Sequence, residues 1–174
     1  MYPGIYLVLI ASSVAFVTDV RVRRIPNWIT IPLAISGLIL AAFHGPFPFI
    51  ESFAIGFAVL MIGFVAFSMG WLGGGDVKLL AASATALTLH DELAFLVYTS
   101  IGGGILAIII AMVMGRLGDV FKSAGMIARP FLYKGTVAVA PKQPITLPYG
   151  CAIAFGAAAV ACSHTIAPIL RLPF

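Results

Sequence analysis

Hydrophobic residues run in long stretches along this chain, and polar residues collect in the breaks between them. The stretches near Ile5–Thr18, Trp28–Phe43, Ser52–Met69, Val77–Leu89, Leu93–Met114 and Leu147–Leu170 read as membrane helices. About 20 apolar residues are enough to cross a hydrocarbon core. The breaks at 19–27, 44–51, 70–76, 90–92 and 115–146 become the connections. Pro32 falls inside the second helix, where neighbouring helices can satisfy the carbonyl it frees. The Gly102-Gly103-Gly104 run and the Ala152, Gly156, Val160 spacing suit close helix–helix contacts. In the longest connection, Leu117, Val120, Phe121, Ala124 and Ile127 repeat at helical spacing opposite Arg116, Asp119, Lys122 and Arg129. That stretch reads as an amphipathic helix lying on the membrane surface. The expected fold is an all-α membrane protein, a bundle of about six transmembrane helices with a cytoplasmic amphipathic segment, forming a single domain over 1–174.

Composition agrees with the pattern. The chain is 61% hydrophobic and 9% charged over 174 residues, where soluble domains carry roughly 25% charged residues. The first basic residue, Arg21, follows the first apolar stretch rather than preceding it, so that stretch is expected to stay as a membrane helix. Basic residues also set an orientation. Arg21, Arg23, Arg24, Lys78, Arg116, Lys122, Arg129, Lys134 and Lys142 fall on one side. The opposite loops hold His44, Glu51, His90, Asp91 and Glu92, with no Lys or Arg. By the positive-inside rule the basic side is cytoplasmic and both termini lie outside. The net charge of +4 follows from this asymmetry; no aromatic-interleaved basic patch points to nucleic acid. Cys151 and Cys162 fall in one predicted helix about 16 Å apart along its axis, too far to bridge.

The carboxylates carry the chemistry. Glu51, Asp91, Glu92 and Asp119 fall in predicted loops or on the amphipathic stretch, where solvated roles are expected. Asp19 ends the first helix and Asp76 begins the fourth, so both lie at the cytoplasmic boundary. Singly, Asp76 reads as a helix N-cap and Asp19 as an interfacial charge. As a pair they have a further use. Two carboxylates within a few ångströms resist ionising together, so one can activate water while the other, protonated, donates to a substrate carbonyl. Those are the roles of an aspartic protease, and they need no metal or cofactor. Gly73, Gly74 and Gly75 before Asp76 suggest a mobile loop that lets another backbone approach. His44, His90 and His164 are scattered without ligand spacing, and no Gly-Lys-Ser/Thr phosphate loop is present.

Gly73-Gly74-Gly75-Asp76 matches the Gly-x-Gly-Asp motif of intramembrane aspartic proteases. Its continuation Val77-Lys78-Leu79 resembles the type IV prepilin peptidases. Asp19 followed by Ile25-Pro26-Asn27 is similar to that family's first aspartate block, and Pro148-Tyr149-Gly150 to a further family signature. The resemblance implies Asp19 and Asp76 as the catalytic pair. Gly73 and Gly75 are motif residues, and Pro26, Asn27 and Lys78 are supports for the carboxylates or the substrate. The substrates implied are prepilin-like membrane precursors, cut at the cytoplasmic face of a bacterial or archaeal membrane to release the basic leader; pilus assembly machinery and lipid are the associated partners. No Cys-x-x-Cys occurs and residues 20–27 form a tiny loop. The size resembles the short peptidases of tight-adherence (Flp) pili and implies cleavage without N-methylation.

Two other readings keep the aspartates. The presenilin-like proteases share Gly-x-Gly-Asp, but Thr18 precedes Asp19 where they have Tyr, and no Pro-Ala-Leu is present. A small transporter or channel subunit would use Asp19 and Asp76 for protons or cations. Against it, both aspartates sit at one face, and the halves show no repeat.

Overall fold

The computed structural model describes residues 3–113, 115 and 149–170, with side chains to residue 165. These residues form six helices: α1 (Gly4–Val22), α2 (Asn27–Phe43), α3 (Pro46–Ser68), α4 (Gly74–Ala84), α5 (Leu89–Val113) and α6 (Tyr149–Leu170). Three of them, α1, α3 and α5, are long and apolar enough to cross a membrane; α2 and Tyr149–Thr165 are shorter apolar helices. The protein is an all-α membrane protein. Contacts divide the chain into two compact units, residues 1–103 with 148–174, and residues 104–147. Everything below concerns the first. The predicted amphipathic helix over 117–129 lies outside the described residues.

At the centre stands the shortest helix. The 11 residues of α4 rise about 16 Å, roughly half a hydrocarbon core. Helix α4 packs on α2 and α3 and touches α6, while α1 packs on α2 and α6. Residues Val77 and Leu79–Ala84 are buried. A helix apolar on every side belongs inside a bundle rather than on its rim. The opposite holds for α3, which buries only Gly56 and Gly63. Both meet α4: a Cβ on Gly63 would sit 2.7 Å from Val77 Cγ1, and one on Gly56 3.3 Å from the Ala81 carbonyl oxygen. With no aqueous driving force between helices, such close backbone approach is what binds α3 to the bundle. Its exposed Phe53, Phe57 and Phe64 face outward.

Several boundaries differ from the hydropathy reading. The connection expected over 44–51 contracts to His44 and Gly45, and Glu51 becomes an exposed residue of α3. Gly45 takes φ +119°, which an L side chain rarely adopts. The polar residues 90–92 do not form a loop but continue the first turns of α5. Asp91 and Glu92, expected to be solvated, are instead buried, at 5% and 1% exposure. Hydropathy shows a polar break, whereas the backbone needs only a cap to keep turning. The Thr88 hydroxyl accepts the Asp91 N–H at 3.3 Å and donates to Asp91 Oδ2 at 2.8 Å. Of the glycines expected at helix contacts, Gly102 meets Phe155, Gly103 meets Tyr149 and Ala152, and Gly156 meets Thr99, whereas Gly104 has nothing within 4 Å.

Candidate active site

Asp19 lies in the last full turn of α1, buried at 8% exposure. Helix α1 ends at Arg23, whose N–H returns to the Asp19 carbonyl and whose φ of 53° turns the chain left-handed. That sharp exit brings Ile25-Pro26-Asn27 back beneath the helix. Pro26, extended at φ −76° and ψ 150°, is the N-cap residue of α2. A proline's fixed φ and missing donor suit a helix start, and the residue before it is held extended. Ile25 is thereby pressed against α4: a Cβ on Gly75 would lie 3.0 Å from Ile25 Cβ and 3.4 Å from its backbone nitrogen.

Asp76 is reached from the other side. The expected glycine loop is in fact mostly helix, since α4 begins at Gly74 with Gly73 as its N-cap residue at φ −75°. None of the three glycines has a positive φ; nearby Gly70 does, at +75°. Space rather than backbone freedom is what Gly73 and Gly75 supply. Asp76 is therefore the third helical residue and not the N-cap. Its Oδ2 accepts the Gly73 N–H at 3.2 Å, the acidic half of a capping box whose other half Gly73 has no side chain to make.

The two carboxylates share one electrostatic environment. Asp76 sits at the head of α4, outside the membrane-crossing helices. Burial first, and then the negative charge of Asp19, push its carboxyl up to about 6; the Gly73 hydrogen bond acts in the opposite direction. The first turn of α6 closes the site. The Gly150 N–H donates to Asp19 Oδ2 at 2.8 Å in a buried hydrogen bond. Tyr149 lies within reach of the Asp76 charge, and Cys151 of the Asp19 charge. Lys78 contacts neither carboxylate through a hydrogen bond or ion pair among the described residues; its Nζ donates to Asn27 Oδ1 at 3.2 Å, tying α4 to the start of α2. Beside these two residues, α2, α3 and α4 border an apolar cavity of about 350 Å³. The four sequence blocks at 19, 25–27, 73–78 and 149–150 thus meet at one place.

The model of the type IV leader peptidase family matches residues 6–108, more than half of the chain. This chain belongs to the type IV leader peptidase family. No curated protein and no solved structure matches it. The matched residues hold Asp19, Asp76, Pro26, Asn27 and Lys78, and stop short of α6.

Two features went unread in the sequence. One is the Gly150 N–H, because a backbone donor leaves no trace in side-chain chemistry. The other lies at the first turn of α5, where Asp91 Oδ1 meets His164 Nε2 at 2.7 Å. His164 had seemed an isolated histidine. Its pairing spans two helices, which spacing cannot reveal, but Thr88-Leu89-His90-Asp91 carries the Ser/Thr-x-x-Asp/Glu signature of a helix start.

Proposed function

We propose that this chain is an intramembrane aspartic endopeptidase of a single domain, which removes the leader of type IV, Flp-like prepilins without methylating the new N-terminus. Asp19 and Asp76 form its catalytic pair. One observation carries the reading: aspartates from two different helices lie close enough that the charge of Asp19 raises Asp76. Ordinary interfacial aspartates have no reason to be so gathered, and a coupled pair holding one proton between its members is what peptide hydrolysis needs. Family membership supports the peptide substrate. The excess of Lys and Arg in the connections on the side of this pair supports an active site facing the cytoplasm, with both termini outside.

In this reading the leader reaches the pair from the cytoplasm, and the hydrophobic segment after the scissile bond descends into the bilayer. Gly75 lets Ile25 close against the head of α4, and Gly73 leaves room for the Asp76 carboxylate. Pro26 and Asn27, latched by Lys78, hold the start of α2 against that head.

The test is co-expression with Flp-type prepilins, comparing the natural chain with Asp19→Asn and Asp76→Asn by gel shift and mass spectrometry of the product. General acid–base groups typically contribute about 10²–10⁴-fold, so either substitution is expected to cut processing by at least that much while the protein still inserts. Unchanged cleavage in both variants would remove the pair from the mechanism. Loss of ion flux rather than of cleavage would favour a transporter.

A further inference from the structure

We propose that the cavity bordered by α2, α3 and α4 binds one anionic phospholipid, its headgroup at Lys78 and one acyl chain lying along α2. The site is separate from the aspartate pair and does not rest on the catalytic reading.

Helix geometry gives the separation. From α4 and its C-cap residue, Lys78, Ala81, Ala82 and Thr85 line the cavity, at spacings of three and four that put them on one face. Asp76 stands two positions before Lys78, about 200° around the helix, and so leaves α4 on the opposite side. On α2 the lining runs from Asn27 through Ile31 and Ala34 to Leu38, again along one face.

The cavity has a polar end and an apolar body. At the end, Lys78 Nζ donates to Asn27 Oδ1 at 3.2 Å, and both residues are exposed. An ammonium has three donors, and among the described residues no carboxylate accepts from Lys78. Further in, the lining hydroxyls belong to Thr30 and Thr85. Each is satisfied by its own segment: Thr30 donates to the Asn27 carbonyl at 3.4 Å and Thr85 to the Ala82 carbonyl at 2.8 Å. The other side chains of the wall are hydrocarbon. The charge to be matched is therefore a cation at one end, and the surface to be covered is apolar.

Length and access choose a lipid over a membrane-crossing helix. Asn27 to Leu38 covers about 16 Å of α2, close to half of the roughly 30 Å hydrocarbon core. That is the depth of one leaflet, measured from the end that carries Lys78. A crossing helix would need walls along the whole core, about twice that length. Ile31, Phe53 and Phe57 in the lining are each about half exposed, at 53%, 55% and 54%. The cavity thus opens sideways, and an acyl chain enters without the helices parting. Its volume of about 350 Å³ lies at the small end of the roughly 300–1,000 Å³ of ligand pockets.

The test is native mass spectrometry of the full chain in a mild detergent, titrated with phosphatidylglycerol or with phosphatidylcholine of the same acyl chains. One phosphatidylglycerol per chain is expected, held about fivefold more tightly than phosphatidylcholine, the worth of one basic residue at an anionic surface. Lys78→Gln should erase that preference and Lys78→Arg should keep it. Ala34→Phe, which fills the groove, should weaken both lipids about tenfold. Ile35→Phe, on an exposed position of the same helix outside the lining, should weaken neither. Should Ala34→Phe fail to fold, Leu60→Trp takes its place. Equal affinity for the two lipids in the natural chain, or a preference that survives Lys78→Gln, removes the headgroup site. Undiminished binding with the groove filled removes the acyl seat, and binding no tighter than that of the detergent leaves an adventitious amphiphile only. Each of these results overturns the proposal. One-for-one displacement of phosphatidylglycerol by an Flp-type prepilin overturns it as well, and assigns the groove to the substrate.

Discussion

The three glycines before Asp76 are chemically identical, yet their surroundings predict three different outcomes on substitution by alanine. At Gly75 the new methyl would stand 3.0 Å from Ile25 Cβ, where carbon atoms in contact prefer about 3.5–4.0 Å. Relief needs a shift of roughly half an ångström or more, and Ile25 is buried and locked in front of Pro26. Overpacking of this kind costs about 1–3 kcal/mol. The strain falls between the start of α2 and the turn that carries Asp76, and displacements near 1 Å cost up to about 10²-fold in rate. At Gly73 the methyl would lie 2.7 Å from Asp76 Oδ2. That carboxylate can rotate away, so stability changes by no more than the lost hydrogen bond, about 0.5–1.5 kcal/mol, while under the proposed catalytic pair activity is expected to drop at least tenfold as Asp76 is turned from its place. At Gly74 the nearest atom is a Phe67 ring carbon at 3.4 Å, an ordinary contact. Alanine there leaves activity unchanged and adds up to about 1 kcal/mol of helix preference. Purified variants would be compared by thermal unfolding and by initial rates of prepilin cleavage. Equal losses at 74 and 75, or natural activity in Gly75→Ala, would refute the spatial account of the motif.

Four further outcomes follow from the same geometry. The Asp76 carboxyl, raised from 3.8 to about 6, is harder to ionise in the folded chain than in the unfolded one. Its ionisation therefore destabilises the fold as pH rises through that window, so Asp76→Asn should raise Tm at pH 7–8 and change it little below pH 3.8. His164→Ala leaves the buried Asp91 Oδ1 without its partner; unfolding should occur about 1–3 kcal/mol sooner, discounted because the His164 side chain is 36% exposed. Cleavage by the folded fraction should be unaffected. Lys78→Ala and Asn27→Ala each remove one exposed hydrogen bond, and a double-mutant cycle read by thermal unfolding should return a coupling of about 0.5–1 kcal/mol. Gly156→Ala would drive a methyl into the Thr99 hydroxyl and to 3.1 Å from the Phe95 carbonyl oxygen. It should lower Tm where Val97→Leu, which adds one methylene on an outward face of α5, does not.

How much of this was legible beforehand differs by feature. Unbroken apolar stretches identified every described helix, because a lipid solvent leaves a backbone no cheaper way to satisfy its amides than to coil. The candidate pair was also readable, since aspartate is scarce in such a chain and Gly-Gly-Gly-Asp is rarer still. Helix ends were misread wherever polarity and capping disagreed. Glu51, Asp91 and Glu92 looked like loop residues because hydropathy counts charge and ignores the hydrogen bonds that let a helix continue through it.

The sequence alone thus determined the class of solvent, the number of described helices and the two carboxylates worth following, all of them properties of composition and local order. The tertiary structure decided what those residues do to one another. It brought Asp19 and Asp76 together, turned the glycines from a presumed flexible loop into the tight first turn of α4, and set the Gly150 N–H on Asp19. The physical reason is the range of the interactions. Apolar length and helical period act within one segment, whereas a shifted carboxyl, a close glycine contact and a backbone donor across 131 positions exist only once separate helices have packed.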